Sequence, residues 1–116
     1  MQEVAIFYIP FDFQTYIGIT TDSIEKNAIC RFSISSGSKE AVSLRQTLGN
    51  STIGKFDNDV VRLKASGLVE QEVFIDMDGG VLFGRGGVEK RLPDNDFKTL
   101  RTLMESLAKQ HSCDQR

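Results

Sequence analysis

Three glycine turn signals at nearly even spacing constrain this chain more than any other feature. Ser66-Gly67, Asp78-Gly79 and Gly86-Gly87 divide "VVRLKASGLVEQEVFIDMDGGVLFGRGGVEKRL" (60–92) into four short stretches with strand character. Connections this short join antiparallel neighbours, because a parallel return needs a crossover of a dozen or more residues. The segment is therefore predicted to be a four-stranded meander.

Charge suggests its register. A three-residue loop at Ser66 to Leu68 sets Lys64 opposite Glu70, Arg62 opposite Glu72 and Val60 opposite Phe74. A two-residue Asp78-Gly79 turn then sets Glu72 opposite Arg85 and Phe74 opposite Phe83. Opposite charges meet in both pairings. The apolar row Val60, Phe74, Phe83 lies on the same face and needs a cover, the C-terminal helix first and a partner protein second.

The remaining chain divides as follows. "EVAIFYI" (3–9) is apolar at both alternating sets, which predicts a central strand covered on both faces. "TYIGIT" (15–20) is predicted as a second strand and "NAICRFSIS" (27–35) as a third. "SSGSKEAVSLRQTLGN" switches to helical spacing at Ala41, Leu44 and Leu48, with Ser38 as N-cap and Gly49 as stop. Residues 50–59 are polar and turn-rich, with no element assigned. A last helix, capped by Asp94 or a neighbour, continues through Phe97, Leu100, Leu103, Met104 and Leu107 and packs on the sheet. The expected fold class is α+β, a mainly antiparallel sheet of about six to seven strands in the order βββ-α-ββββ-α. One domain over 1–110 and a polar tail over 111–116 follow from the length.

With 40% hydrophobic and 26% charged residues, the composition is that of an ordinary globular domain. A net charge of -2 and a pI near 5.4 give no general attraction to nucleic acid or anionic membrane, so neither is an expected partner. The N-terminal run has no positive start and is broken by Pro10 and Asp12, unlike a signal peptide or a membrane span. Cys30 falls in a strand and Cys113 in the polar tail, which predicts two free thiols and, with the missing signal, a cytoplasmic location.

Residues 69–87, "VEQEVFIDMDGGVLFGRGG", carry the densest carboxylates and glycines. A calcium loop starting at Asp76 fails, with Gly80, Val81 and Gly87 at the fifth, sixth and twelfth positions. Asp76 and Asp78 superficially match the Asp-x-Asp pair of haloacid-dehalogenase-type enzymes, but the strand that follows is a hairpin mate. "GRGG" opens no helix on which a phosphate would sit. The single histidine, His111, lies in the tail, and with two cysteines it makes neither a triad nor a closed zinc site. No cofactor, metal or catalytic residue is assigned, and the glycines are read as hairpin turns.

The surface remains. Residues 57–96 hold nine acidic side chains against five basic ones, a net charge of -4. Ordinary aspartate-rich turns account for much of this. The functional reading places Asp57, Asp59, Asp76 and Asp78 around one end of the meander, where they attract a basic partner. Glu70, Glu72 and Phe74 complete the candidate partner-binding set.

The apolar first strand "EVAIFYI", the run "FDNDVVRLKA", then "EVFIDMDGGVLF" and the closing helix "FKTLRTLMESL" resemble small cytoplasmic immunity proteins. These belong to bacterial contact-dependent inhibition and polymorphic-toxin systems. The resemblance spans most of the chain and transfers no individual residue. It implies a toxin-neutralising protein that binds and blocks a cognate toxin domain, commonly a basic nuclease, as a monomer or weak dimer. An adaptor or oligomeric subunit without catalysis, and a small enzyme using Asp76 and Asp78, are the alternatives.

Overall fold

Strands β4 (Val61–Ser66), β5 (Val73–Asp76), β6 (Gly80–Phe83) and β7 (Val88–Arg91) follow one another as antiparallel neighbours, forming the meander that the turns imply. The computed structural model describes residues 2–111 and 113. Its other elements are β1 (Glu3–Tyr8), α1 (Ile24–Asn27), β2 (Cys30–Ser35), α2 (Lys39–Gly49), β3 (Thr52–Ile53) and α3 (Asp94–Gln110). All seven strands join one antiparallel sheet in the order β2-β1-β4-β5-β6-β7-β3, so the fold class is α+β.

Helices α2 and α3 cover one face. Val4, Ile6 and Tyr8 of β1, Leu63 and Ala65 of β4, Val73 and Ile75 of β5 and Val81 of β6 meet Ala41, Leu44, Leu100, Met104 and Leu107 there. Ser38 caps α2 by accepting the Ala41 N–H at 3.2 Å. Asp94 opens α3 without capping it, because Pro93, which has no N–H to place, stands at the cap position.

The opposite face is covered by α1 and its flanks. Ile9, Ile19, Ile24, Val61, Phe74 and Leu82 form a second cluster, with Phe7 packed against it. β1 therefore has apolar packing on both faces, as its sequence implies. A register shift between Val61 and Leu63 lets Val61 join this cluster although Leu63, two residues on, faces the helices. The cover over Phe74 is thus α1 and the 9–29 segment, a correction to the expected C-terminal helix.

Residues 15–20 form no strand. Ile19 makes an isolated parallel bridge to Val60, its N–H donating to Asp59 O and its carbonyl accepting from Val61 N, and the segment otherwise runs as a loop into α1. Its β-branched composition resembles a strand, but the backbone bonds go to the end of β4 instead of a full ladder. Strand β3, inside the unassigned 50–59 stretch, pairs with β7 at the sheet edge.

The register also differs. Lys64 lies opposite Phe74 and Ala65 opposite Val73, so the β4–β5 connection is six residues (67–72) and not three. Leu68 explains the length: it is buried in the helix-side core, and Arg45 Nε donates to its carbonyl at 2.6 Å. Across the next turn Phe74 faces Leu82 and Val73 faces Phe83, one step from the expected pairing. A one-residue step exchanges faces, so Phe83 packs on the helix side, away from Phe74. Residues 77–79 form the turn, with Gly79 at φ +96, a conformation that disfavours a Cβ.

Cys30 and Cys113 form a disulfide, which corrects the expectation of two free thiols and withdraws that argument for a reducing compartment. The tail does not fray where it is described. The His111 ring stacks on Phe32 of β2 with centroids 4.3 Å apart, and Cys113 N–H donates to Ala108 O, which holds the cysteine over β2. Residues 112 and 114–116 of the expected tail lie outside the described residues.

Candidate functional site

Asp57, Asp59, Asp76 and Asp78 converge on one end of the meander, but they do not play one role. Asp76 is 2% exposed. Its Oδ1 accepts the N–H groups of Asp78 and Gly80, and its Oδ2 accepts that of Asp57, each at 2.8 Å. A Cβ at Gly80 would lie 2.3 Å from Asp76 Oδ2 and 2.5 Å from the Lys55 carbonyl, so glycine is required for this approach. Asp76 thereby ties the 55–59 loop to the β5–β6 turn. Three charge-assisted bonds to backbone explain why a carboxylate is tolerated inside. It offers no surface to a partner, and its oxygens are committed to the fold, which corrects its place in the acidic ring.

Asp57, Asp59 and Asp78 are exposed. Asp57 Oδ1 accepts the Asp59 N–H at 2.9 Å, an Asx-type turn that fixes the Asp57 carboxylate against the loop backbone beside Asp59. None of the three forms an ion pair among the described residues. Arg91 stands beside Asp78, donating to its backbone carbonyl at 3.0 Å.

Glu70 and Glu72 lie at the other end of β5. Glu70 is exposed. Glu72 accepts from Lys64 Nζ at 2.9 Å and from Arg85 Nε at 3.2 Å; Glu25 of α1 also pairs with Lys64, and Asp22 with Arg85. Hydrogen bonding from Lys64 holds the Glu72 carboxyl below its ordinary pKa, with Arg85 helping. Burial pushes the Lys64 ammonium down, but Glu25 and Glu72 outweigh it, so that its pKa stands above the usual value. Phe74 is the floor of this ion network. It is 0% exposed, with Lys64 Nζ 5.9 Å and the Arg85 guanidinium 5.6 Å from its ring centre. Phe74 is a core residue and, like Asp76, is removed from the contact surface.

Arg62 forms no pair with Glu72. Its side chain is buried, Nη1 donates to the Val61 carbonyl and Nη2 to the Phe13 carbonyl, each at 3.0 Å, and Nε has no partner among the described residues. Burial pushes its pKa down, partly offset by Asp76 and Asp78. The sequence charge pattern assigned Arg62 to a salt bridge; the register places it under the 10–19 loop.

That loop carries three exposed large apolar side chains. Tyr16 is fully exposed, Ile17 is 62% and Phe13 45% exposed. Read as a strand, the segment should have hidden alternate residues, and its sequence alone carries no signal that it does not. Elsewhere, a cleft of about 290 Å³ between the Pro10–Asp12 turn and α3 is lined by Tyr8, Phe11, Arg101, Glu105 and Lys109, none of them in the candidate set. No helix among the described residues is long and apolar enough to cross a membrane. Comparison with family models, curated proteins and solved structures found no match.

Proposed function

We propose that the chain is a toxin-neutralising immunity protein that binds a cognate toxin domain, a basic nuclease, and blocks it in the cytoplasm. One observation supports this most. Asp57, Asp59 and Asp78 stand exposed, close together and without ion-pair partners among the described residues, whereas Asp76 of the same segment is buried and Glu72, half-buried, is paired with Lys64 and Arg85. Exposed carboxylates held in place by turn geometry suit recognition of a cationic surface, because their field acts before contact and raises the association rate. The sequence resemblance supplies the class of partner.

The test is co-expression with the C-terminal domain encoded immediately upstream, scored by growth rescue and co-purification. Rescue with a stable one-to-one complex supports the proposal. Toxicity that this chain does not relieve, or absence of both toxicity and complex, overturns it.

A further inference from the structure

We infer that the 10–19 loop and the neighbouring carboxylates form one docking surface for a basic protein segment with an apolar anchor. Phe13, Tyr16 and Ile17 supply the apolar centre, and Asp57, Asp59 and Asp78 the acidic rim. The inference deepens the immunity reading and rests on it for the partner's identity, not for its chemistry.

Proximity is set by backbone contacts. Ile19 N–H donates to Asp59 O at 2.9 Å, and Gly18 packs 3.4 Å from that oxygen, measured from the position of a Cβ. On the other side, Arg62 Nη2 donates to Phe13 O and lies 4.0 Å from Met77 Sδ, which brings the start of the loop beside the turn that carries Asp78.

The apolar side chains are exposed on a segment whose two ends are bonded to the fold. Phe13 N–H donates to Pro10 O at 3.0 Å, Thr15 Oγ1 to Ile17 O at 2.7 Å, and Val61 N–H to Ile19 O at 2.9 Å, in addition to the Arg62 and Asp59 bonds. Three bonds to the rest of the fold, at Phe13 and Ile19, fix both ends of the segment that carries Tyr16 and Ile17, which limits the ordering entropy lost on binding. Aromatic and aliphatic groups presented this way act as anchors once desolvated by a partner. The rim selects the partner: carboxylates repel nucleic acid, anionic lipid and a second copy of the same acidic rim, and favour Lys or Arg around an apolar residue.

The experiment uses the full chain and a synthetic twelve-residue peptide with lysines flanking a Trp-Leu centre. Controls are the same peptide with glutamate for lysine, and phosphatidylglycerol vesicles. Backbone NMR shifts on titration with the lysine peptide are expected at 13–17, 57–59 and 78. The affinity should fall with salt, and Tyr16→Ser with Ile17→Ser should weaken binding by at least about tenfold, as loss of an anchor does. Both residues are exposed, so an unchanged melting temperature verifies the fold of this variant. Shifts confined to other residues, equal binding of the glutamate peptide, stronger binding to vesicles, or self-association lost in the double variant would each overturn the inference. None of these outcomes depends on toxicity or rescue, so the two readings fail separately.

Discussion

Lys64 stands directly across from Phe74 on the β4–β5 ladder, its ammonium above the ring and its charge shared between Glu25 and Glu72. The pair shows how the second face of the sheet accommodates charge. The lysine stem fills space among Phe7 and Phe74, and its head reaches carboxylates at the border of the core.

Breaking this arrangement from one side should cost more than removing it. Glu72→Arg sets like charges around Lys64 and Arg85 and should destabilise the domain by about 2–3 kcal/mol, whereas Lys64→Met combined with Glu25→Gln and Glu72→Gln, which removes the charges together, should cost about 1 kcal/mol or less. Urea unfolding of both variants checks the contrast, and a fully stable Glu72→Arg protein contradicts the pairing. Because the Glu72 pKa is lowered on folding, its contribution is present above the ordinary value of 4.5 and is lost as pH falls through the lower folded value.

Asp76 should be among the most sensitive polar positions. Asp76→Ala leaves three backbone N–H groups without their acceptor and should cost about 3 kcal/mol; Asp76→Asn, keeping one oxygen, should cost less. Thermal melts and amide exchange of Asp57, Asp78 and Gly80 provide the measurement, with faster exchange at all three expected in the alanine variant.

The disulfide closes a loop of 83 residues in sequence separation. Chain entropy assigns such a crosslink about 4 kcal/mol, so Cys113→Ser should lower the urea midpoint clearly. Thiol titration of the native protein should find Cys30 and Cys113 unreactive until reductant is added.

Tyr8 links stability to alkaline pH. Burial, then Glu105 and Asp12, push its phenol from 10.0 up to about 12. A raised pKa stabilises the fold below pH 10, and that contribution is lost between about pH 10 and 12, on the order of 2 kcal/mol. Tyr8→Phe should flatten the stability profile in that window, measured by urea unfolding at successive pH values.

On the immunity reading proposed above, changing Asp57, Asp59 and Asp78 together to asparagine should slow association with a catalytically inactive cognate toxin domain by about tenfold at low salt, with a smaller change in dissociation. Stopped-flow mixing checks this. Asp76 is left intact, because its loss would unfold the loop that presents Asp57.

Patterns of short range were readable from the chain by itself. The meander follows from glycine turns between strand-like runs, α2 from Ser38 and the Ala41-Leu44-Leu48 spacing, and α3 from a long amphipathic stripe; each depends on local torsional preference and periodicity. The clustering of Asp57, Asp59 and Asp78 was also legible, since it needs only neighbouring turns at one end of a sheet.

Tertiary structure decided what depends on contacts between distant residues. Leu68 entering the helix-side core lengthened the β4–β5 loop, and Asp76 collecting three N–H groups set a three-residue turn. The one-residue step between β5 and β6 moved Phe83 off the face of Phe74, whereas Lys64 and Phe74 stayed on one face. The 9–29 segment covered Phe74, three backbone N–H groups engaged Asp76 inside, and Arg62 reached the Phe13 carbonyl instead of Glu72. Cys113 met Cys30 because α3 ends over β2, and no spacing in the chain encodes that meeting. The 15–20 segment has the composition of a strand, but backbone hydrogen bonds require a partner strand with a free edge. The end of β4 offered Ile19 a single bridge, and the loop with its exposed Tyr16 and Ile17 is the result.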